Sequence, residues 1–141
     1  PVLGVAQGIF HNLANMFGAE VRFEPPAPDL WRYGLPENEA VPLALVINEL
    51  GTNAIKHRAN RSDPVNVRVS ARPDGMEFAI ENTGQLRAGF SFSDIAASVS
   101  GLGLVKALLP RRGARLSIES SGSVVLTKLQ LFPPAVREEN L

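Results

Sequence analysis

The chain contains no cysteine among its 141 residues. Disulfide bonds, thiolate zinc sites and cysteine nucleophiles are therefore excluded, and the composition fits a reducing compartment. No apolar run approaches the roughly 18 residues that a membrane-spanning helix needs, and no signal peptide is recognisable. Neither charge sign is in excess, because 14 Lys and Arg balance 14 Asp and Glu. This balance argues against a general nucleic-acid-binding or membrane-surface role.

A chain of this length is expected to form one domain. Its hydrophobic fraction of 45% and charged fraction of 20% are ordinary for a globular protein. We assign residues 1–132 to that domain and residues 133–141 to a loose polar tail. Because the chain begins at Pro1 without an initiating Met, we expect it to be a piece of a longer protein.

Hydrophobic periodicity predicts helices and strands in alternating groups. The helices are expected at residues 2–17, at about 37–60, and at 101–109. The strands are expected at residues 21–23, 65–71, 76–82, 115–120 and 124–131. This order favours an α/β fold, a two-layer sandwich with a mixed, mostly antiparallel sheet covered on one face by about three helices.

The most informative polar residues lie on the predicted second helix. Glu49 and Asn53 are one turn apart, and Lys56 and His57 follow within the next turn, so all four share a helix face. A carboxylate and a carboxamide at this spacing offer oxygen ligands to Mg²⁺, which takes few protein groups and completes its shell with water and phosphate. Lys56 would meet a phosphate as a point charge. The same pattern is also typical of a solvated helix face.

Asn82 and Gly84 stand at the end of a predicted strand. A polar side chain there could reach the edge of a ligand, and Gly84 would let the backbone come close to it. The same residues would equally suit an ordinary turn after a strand.

A glycine pair opens the predicted third helix, in the stretch Gly101-Leu102-Gly103-Leu104. Helix N-termini present free N–H groups that suit phosphate oxygens. No Walker loop is present, and Lys106 stands where a dinucleotide fingerprint needs its third glycine. Alone, this stretch is also typical of a simple helix start.

Taken together and in this order, the three motifs resemble the nucleotide-binding domain of the GHKL ATPases. That group includes sensor histidine kinases, the gyrase B subunit, a heat-shock chaperone and the mismatch-repair ATPases. Residues 47–57, Ile-Asn-Glu-Leu-Gly-Thr-Asn-Ala-Ile-Lys-His, look most like the Asn box of bacterial histidine kinases. The resemblance covers nearly the whole chain and implies the Bergerat ATP-binding fold.

The resemblance implies roles for the residues of the Asn box. Asn53 would be a magnesium ligand through its carboxamide oxygen. Glu49 would be the acidic group beside the metal and the γ-phosphate, at both a metal-binding and a catalytic position. Lys56 and His57 would lie along the phosphate and ribose side of the bound ATP.

The resemblance also implies how the base is held. Asn82 takes the place of the family's Asp, which accepts a hydrogen bond from the adenine amino group, and Gly84 lets the base approach. Asn keeps a carbonyl acceptor but lacks the charge, so we expect a bond weaker by about 1 kcal/mol. A second glycine that often follows in the family is Leu86 here.

The glycine-rich helix start would close the other side of the ATP site. By resemblance, residues 85–100 form a mobile ATP lid. Gly101 and Gly103 would hinge it and offer N–H groups to the phosphates, and the whole turn is assigned to nucleotide binding: Gly101, Leu102, Gly103 and Leu104.

The resemblance thus implies the ATP-binding catalytic domain of a two-component sensor histidine kinase. It would bind Mg-ATP and transfer the γ-phosphoryl group to a His on a separate helical dimerisation domain, for which this chain has no room. A response regulator would be an indirect partner. The domain would lie in the cytoplasm, either alone or as the cytoplasmic part of a membrane-bound sensor. It would contact neither nucleic acid nor membrane.

Two alternatives remain open at this point. One is a degenerate ATPase-like docking or phosphotransfer module that does not bind ATP. The other is a serine kinase of the anti-sigma-factor type, which shares the fold and phosphorylates a small protein partner.

Overall fold

The computed structural model describes residues 1–139. Its elements, in chain order, are α1 (Val2–Phe17), β1 (Val21–Phe23), a 3₁₀ helix (Pro28–Arg32), β2 (Tyr33–Gly34), α2 (Glu37–Lys56), β3 (Val65–Arg72), β4 (Gly75–Thr83), a second 3₁₀ helix (Phe92–Asp94), α3 (Gly101–Leu108), β5 (Ala114–Ser121), β6 (Val124–Leu131) and β7 (Arg137–Glu138).

The main sheet has the strand order β1-β3-β4-β6-β5. Only β1 and β3 run parallel, and the other neighbours pair antiparallel. Apolar side chains alternate along the strands, so that one face of the sheet carries buried residues such as Val67, Phe78 and Leu129. The predicted α/β sandwich with a mixed, mostly antiparallel sheet and three α-helices is therefore confirmed.

The helical layer is held together by a close approach of α1 to α2. A Cβ on Gly51 would stand 2.7 Å from Leu13 Cδ1 and 2.9 Å from Phe10 Cε1. A glycine within the Asn box therefore lets the two helices pack closely, while Ile47 and Leu50 fill the core beside it. None of the helices in residues 1–139 has the length and apolar character needed to cross a membrane.

The second helix is shorter than predicted, ending at Lys56 instead of near residue 60. Arg58 explains the difference, because its Nε donates to the carbonyl of Ile55 at 2.8 Å. Its Nη1 donates to the carbonyls of Arg61 and Asp63 at 2.7 and 3.1 Å. One side chain thus satisfies a helix-end carbonyl and two loop carbonyls, and the chain turns away from the helix.

The loose tail expected from residue 133 onward is not found in residues 133–139. Ala135 and Val136 are buried, and β7 pairs with β2 in a separate small sheet. The N–H of Glu139 donates to the carbonyl of Arg32 at 2.7 Å. The expectation of a loose polar tail did not include the burial of two small apolar residues that anchor the segment. Residues 140–141 of the expected tail lie outside the described residues.

Candidate functional site

A cavity of about 400 Å³ opens where the C-terminal half of α2, the end of β4 and the start of α3 meet. Its wall has a polar and an apolar part. The polar part consists of Asn53, His57, Asn82, Gln85 and Arg87. The apolar part consists of Leu86, Phe90, Leu102, Ile118 and Val125. A concave site with an apolar wall and a few converging polar groups is typical of small-molecule binding.

Four of the residues singled out by the motifs line this cavity, namely Asn53, His57, Asn82 and Leu102. Asn53 lies in the last turn of α2, and His57, four residues later, caps the end of that helix and lines the same cavity. Asn82 comes from the end of β4 and pairs across the sheet with Val125 on β6. The three predicted motifs are thus brought together from three elements that are distant in sequence.

The other predicted residues lie around the cavity without lining it. Glu49 is one turn before Asn53 on α2, on the same side of the helix. Lys56 is exposed, and it lines a different depression of about 290 Å³ with Phe17 and Arg61. Because Lys56 precedes His57 by one residue, its side chain points about 100° away from that of His57 around the helix axis. The structure therefore does not bring Lys56 to the cavity wall beside His57.

The carboxamide of Asn82 has a defined orientation. The residue is only 3% exposed, and its Nδ2 donates to the carbonyl oxygen of Thr83 at 2.8 Å and to that of His57 at 3.5 Å. Only the NH₂ end of a carboxamide can donate to two carbonyls, so the assignment of nitrogen and oxygen follows from the contacts. Neither hydrogen bond uses the carboxamide oxygen, so Oδ1 keeps its capacity to accept a hydrogen bond from a ligand.

Gly84 follows Asn82 at a point where no side chain fits. Its φ is +124°, and a Cβ there would stand 2.8 Å from the carbonyl oxygen of His57. Gly84 does not itself line the cavity. It permits the close approach of β4 to the end of α2, which places Asn82 beside His57.

The carboxylate of Asp63 stabilises the junction between the end of α2 and the end of β4. The Asp63 carboxylate accepts a hydrogen bond from the Thr83 hydroxyl at 2.6 Å and one from the N–H of Asn60 at 3.1 Å. The Thr83 hydroxyl, followed by the backbone and side chain of Asn60, holds the pKa of Asp63 below its usual value against the opposing effect of desolvation. The carboxylate is therefore ionised at neutral pH.

The two glycines at the start of α3 have different structural reasons, a positive φ at Gly101 and close packing at Gly103. Gly101 has φ +60°, and a Cβ on Gly103 would stand 2.0 Å from Ser98 Oγ and 2.8 Å from the carbonyl oxygen of Ala96. The C-terminal end of the segment 85–100, which was expected to form a lid, therefore lies directly on the first turn of α3. Lys106 adds to this contact, since its Nζ donates to the carbonyl of Ser93 at 3.3 Å.

The fit of a magnesium ion rests on few protein groups. Among residues 1–139, no set of three or more His, Asp or Glu side chains is arranged to hold a metal. Magnesium with a nucleotide needs only one or two protein oxygens. The Asn53 carboxamide at the cavity wall, with Glu49 one turn away, supplies that number.

Motif reasoning missed much of the wall. The residues Gln85, Arg87 and Phe90 belong to the segment 85–100 and fall between motifs, and no spacing marks them as binding residues. Ile118 and Val125 come from the last hairpin, where the alternation of β6 identifies Val125 as an inward residue but not as part of a cavity.

No protein-family model and no curated protein sequence matches this chain. Solved structures do resemble it. The catalytic domain of histidine kinase ThkA aligns with a TM-score of 0.71 and 15% identity, over 93% of this chain and 92% of that one. The ATP binding domain of PrrB from Mycobacterium tuberculosis aligns with a TM-score of 0.67 and 22% identity, over 94% of each.

A histidine kinase domain of a blue-light activated histidine kinase from Erythrobacter litoralis aligns with a TM-score of 0.69 and 19% identity. The alignment covers 89% of this chain but 58% of that one, so the chain spans little more than half of that structure. These likenesses show that the chain has the fold of histidine kinase catalytic domains.

Proposed function

We propose that this chain is the ATP-binding catalytic domain of a two-component sensor histidine kinase. The observation that carries the proposal is the convergence of Asn53, His57, Asn82 and Leu102 on one cavity of about 400 Å³. The fold shared with ThkA and with the ATP binding domain of PrrB supports it.

The division of the cavity wall suggests how ATP would lie. The adenine ring would sit among the apolar residues, including Leu102, Ile118 and Val125. The Asn82 carboxamide oxygen would accept a hydrogen bond from the adenine amino group. The triphosphate would extend toward Asn53 on α2 and the first turn of α3, where free N–H groups are available.

Three side chains would help to bind and neutralise the triphosphate. Asn53 would hold Mg²⁺, with Glu49 beside it, and the bound ion would neutralise phosphate oxygens. Arg87 is the only Lys or Arg among the described residues of the wall, and a guanidinium pairs with phosphate in two parallel hydrogen bonds. The protein would contribute by positioning and by charge, with little covalent chemistry of its own.

The acceptor of the phosphoryl group would be a histidine on a separate helical dimerisation domain. Both domains would lie in the cytoplasm. Transfer breaks the bond between the γ-phosphorus and its bridging oxygen, forms a bond to an imidazole nitrogen and releases ADP. A response regulator would then take the phosphoryl group. We expect this chain alone to bind nucleotide without phosphorylating itself.

Titration calorimetry with ATP, with and without magnesium, tests the binding part of the proposal. Adding the helical domain and labelled ATP tests the transfer. Acid-labile label on histidine is expected, whereas acid-stable label on serine would favour a serine kinase of the anti-sigma-factor type. Absence of heat at millimolar nucleotide would contradict the proposal.

One observation favours a second candidate, a docking or phosphotransfer module that has lost ATP binding. The Leu86 side chain stands on the cavity wall at a position where a glycine is common in the family that the chain resembles. If it occupies the space of the base, the Leu86→Gly variant should bind nucleotide when the unaltered chain does not.

A further inference from the structure

The junction between α2 and β4 is tied by a short series of hydrogen bonds. The N–H of Ala59 donates to the Thr83 hydroxyl at 3.0 Å, and that hydroxyl donates to the Asp63 carboxylate at 2.6 Å. The hydroxyl therefore uses both its acceptor and its donor capacity in one place. It connects the last residue of β4 to the loop that leaves α2.

The loop is itself held in a single shape. The Asp63 carboxylate accepts from the N–H of Asn60 at 3.1 Å, and the N–H of Asp63 donates back to the carbonyl of Asn60 at 3.1 Å. Arg58 donates to the carbonyl of Asp63 from the other side at 3.1 Å. Because residues 58–63 are fixed to one another, anchoring Thr83 to them fixes β4 relative to the end of α2.

The consequence reaches the cavity through His57. Its carbonyl oxygen lies next to this anchored loop and accepts from Asn82 Nδ2 at 3.5 Å, a long hydrogen bond that a small shift would break. The second bond of Nδ2, to the carbonyl of Thr83 at 2.8 Å, depends on the same strand end. The Thr83–Asp63 contact thus ties together the two backbone segments whose carbonyls orient the carboxamide.

We propose that Thr83 and Asp63 are positioning residues for base selection, since they help to hold the Asn82 NH₂ group on two backbone carbonyls and so leave its oxygen to accept a hydrogen bond from the base. This inference rests on the proposed function and deepens it by naming what sets the selectivity. A fixed acceptor favours a purine with an amino group at its edge and disfavours one with a carbonyl oxygen at the same position, because two acceptors would then face each other.

The test compares ATP with inosine triphosphate, which has the same triphosphate and a carbonyl oxygen in place of the amino group. The variants are Thr83→Val, which keeps the shape and removes the hydroxyl, and Thr83→Ser, which keeps the hydroxyl. Asp63→Asn is a second variant in case Thr83→Val fails to fold, and Asp74→Asn is its control because Asp74 is an exposed turn residue.

We expect the unaltered chain to bind ATP more tightly than inosine triphosphate. In Thr83→Val, the dissociation constant of inosine triphosphate divided by that of ATP should fall by roughly fivefold, which corresponds to about one hydrogen bond. Thr83→Ser should keep this ratio. A purely structural role would weaken both nucleotides equally and leave the ratio unchanged, and that outcome would overturn the inference.

A second readout needs no nucleotide and separates this inference from the proposed function. The side-chain NH₂ resonances of Asn82 report its two hydrogen bonds in the free protein. They should move in Thr83→Val and Asp63→Asn and stay in place in Thr83→Ser and Asp74→Asn. Unchanged resonances in the first two variants would reject the positioning role, whereas failure of the unaltered chain to bind either nucleotide would reject only the proposed function.

Discussion

Gly84 lies so close to His57 that a Cβ on Gly84 would stand 2.8 Å from the His57 carbonyl oxygen. The end of β4 and the end of α2 therefore meet backbone to backbone. Since Asn82 and Asn53 belong to these same two elements, the contact sets the distance between the base side and the phosphate side of the cavity.

The Gly84→Ala variant should be destabilised and should bind nucleotide weakly. Its Cβ would collide with a backbone oxygen, and its φ of +124° is a conformation that a side chain rarely adopts. Such strain costs on the order of 1–3 kcal/mol. Chemical unfolding and ATP titration of the variant measure both effects.

Gly89→Ala is the matched control for this prediction. Gly89 also has a positive φ, +76°, but no atom lies within 4 Å of the position its Cβ would take. It should therefore show the backbone cost without the collision. Equal losses in the two variants would show that the contact with His57 is unimportant.

Asn53→Ala should abolish the magnesium-dependent part of ATP binding and leave the fold intact. The alanine removes the carboxamide oxygen from the cavity wall and keeps helical propensity. ATP affinity measured with magnesium and with a chelator separates the two contributions. Asn12→Ala makes the same change at an exposed position of α1 and should bind as the unaltered chain does. If Asn53→Ala retained the magnesium dependence, the metal-ligand role would be wrong.

Asn82→Asp should weaken ATP binding, although it restores the residue common in the family that the chain resembles. A carboxylate would place an oxygen, without a hydrogen, where Nδ2 now lies 2.8 Å from the carbonyl of Thr83. The resulting repulsion should also lower the melting temperature. Calorimetry and thermal unfolding test this prediction, and a gain in ATP affinity would show that a charge-assisted bond to the base outweighs the repulsion.

The sequence predicted the layers of the fold because its apolar positions repeat with clear helical or alternating spacing. It also predicted the contribution of α2, β4 and α3 to the cavity, since Asn53, Asn82 and Leu102 stand in recognisable local patterns. It failed where the pattern is weak. Ala135 and Val136 are only two apolar residues among prolines and charges, yet they anchor the segment that was expected to be loose.

The hydrogen bond between Thr83 and Asp63 could not be predicted from the sequence, for a different reason. Thr83 and Asp63 are 20 residues apart and joined by a single hydroxyl. No periodicity relates them, and both are common surface residues. The neighbours Lys56 and His57 show the same limit, because the sequence predicts one shared helix face for them, whereas they line different depressions.

Arg87→Gln should weaken the binding of ATP and leave that of adenosine nearly unchanged. The guanidinium is at the cavity wall, where it can pair with phosphate but has little to offer an uncharged nucleoside. A lost bond to a charged group corresponds to roughly tenfold or more in affinity. Titrations at low and high salt measure it, with the exposed Arg112→Gln as control. A parallel loss for adenosine would assign Arg87 to the shape of the cavity instead.

The Asp63→Asn substitution should cost stability at neutral pH and progressively less in acid. The Thr83 hydroxyl holds the pKa of Asp63 below its ordinary value of 3.8. A carboxyl group with a lowered pKa in the folded state stabilises the fold above the unfolded-state pKa, and this contribution disappears as the pH falls through the folded-state value. The difference in free energy of unfolding between the two proteins should therefore shrink below about pH 4.

Urea unfolding at a series of pH values from neutral to acid measures that difference. Asp74→Asn corrects for the loss of one negative charge, because Asp74 lies in the turn between β3 and β4, away from Thr83. A difference that stayed constant across the whole range would mean that Asp63 stabilises the junction without its charge. The Thr83 hydroxyl would then act as an ordinary neutral hydrogen-bonding group, and acid would leave the end of β4 in place beside α2.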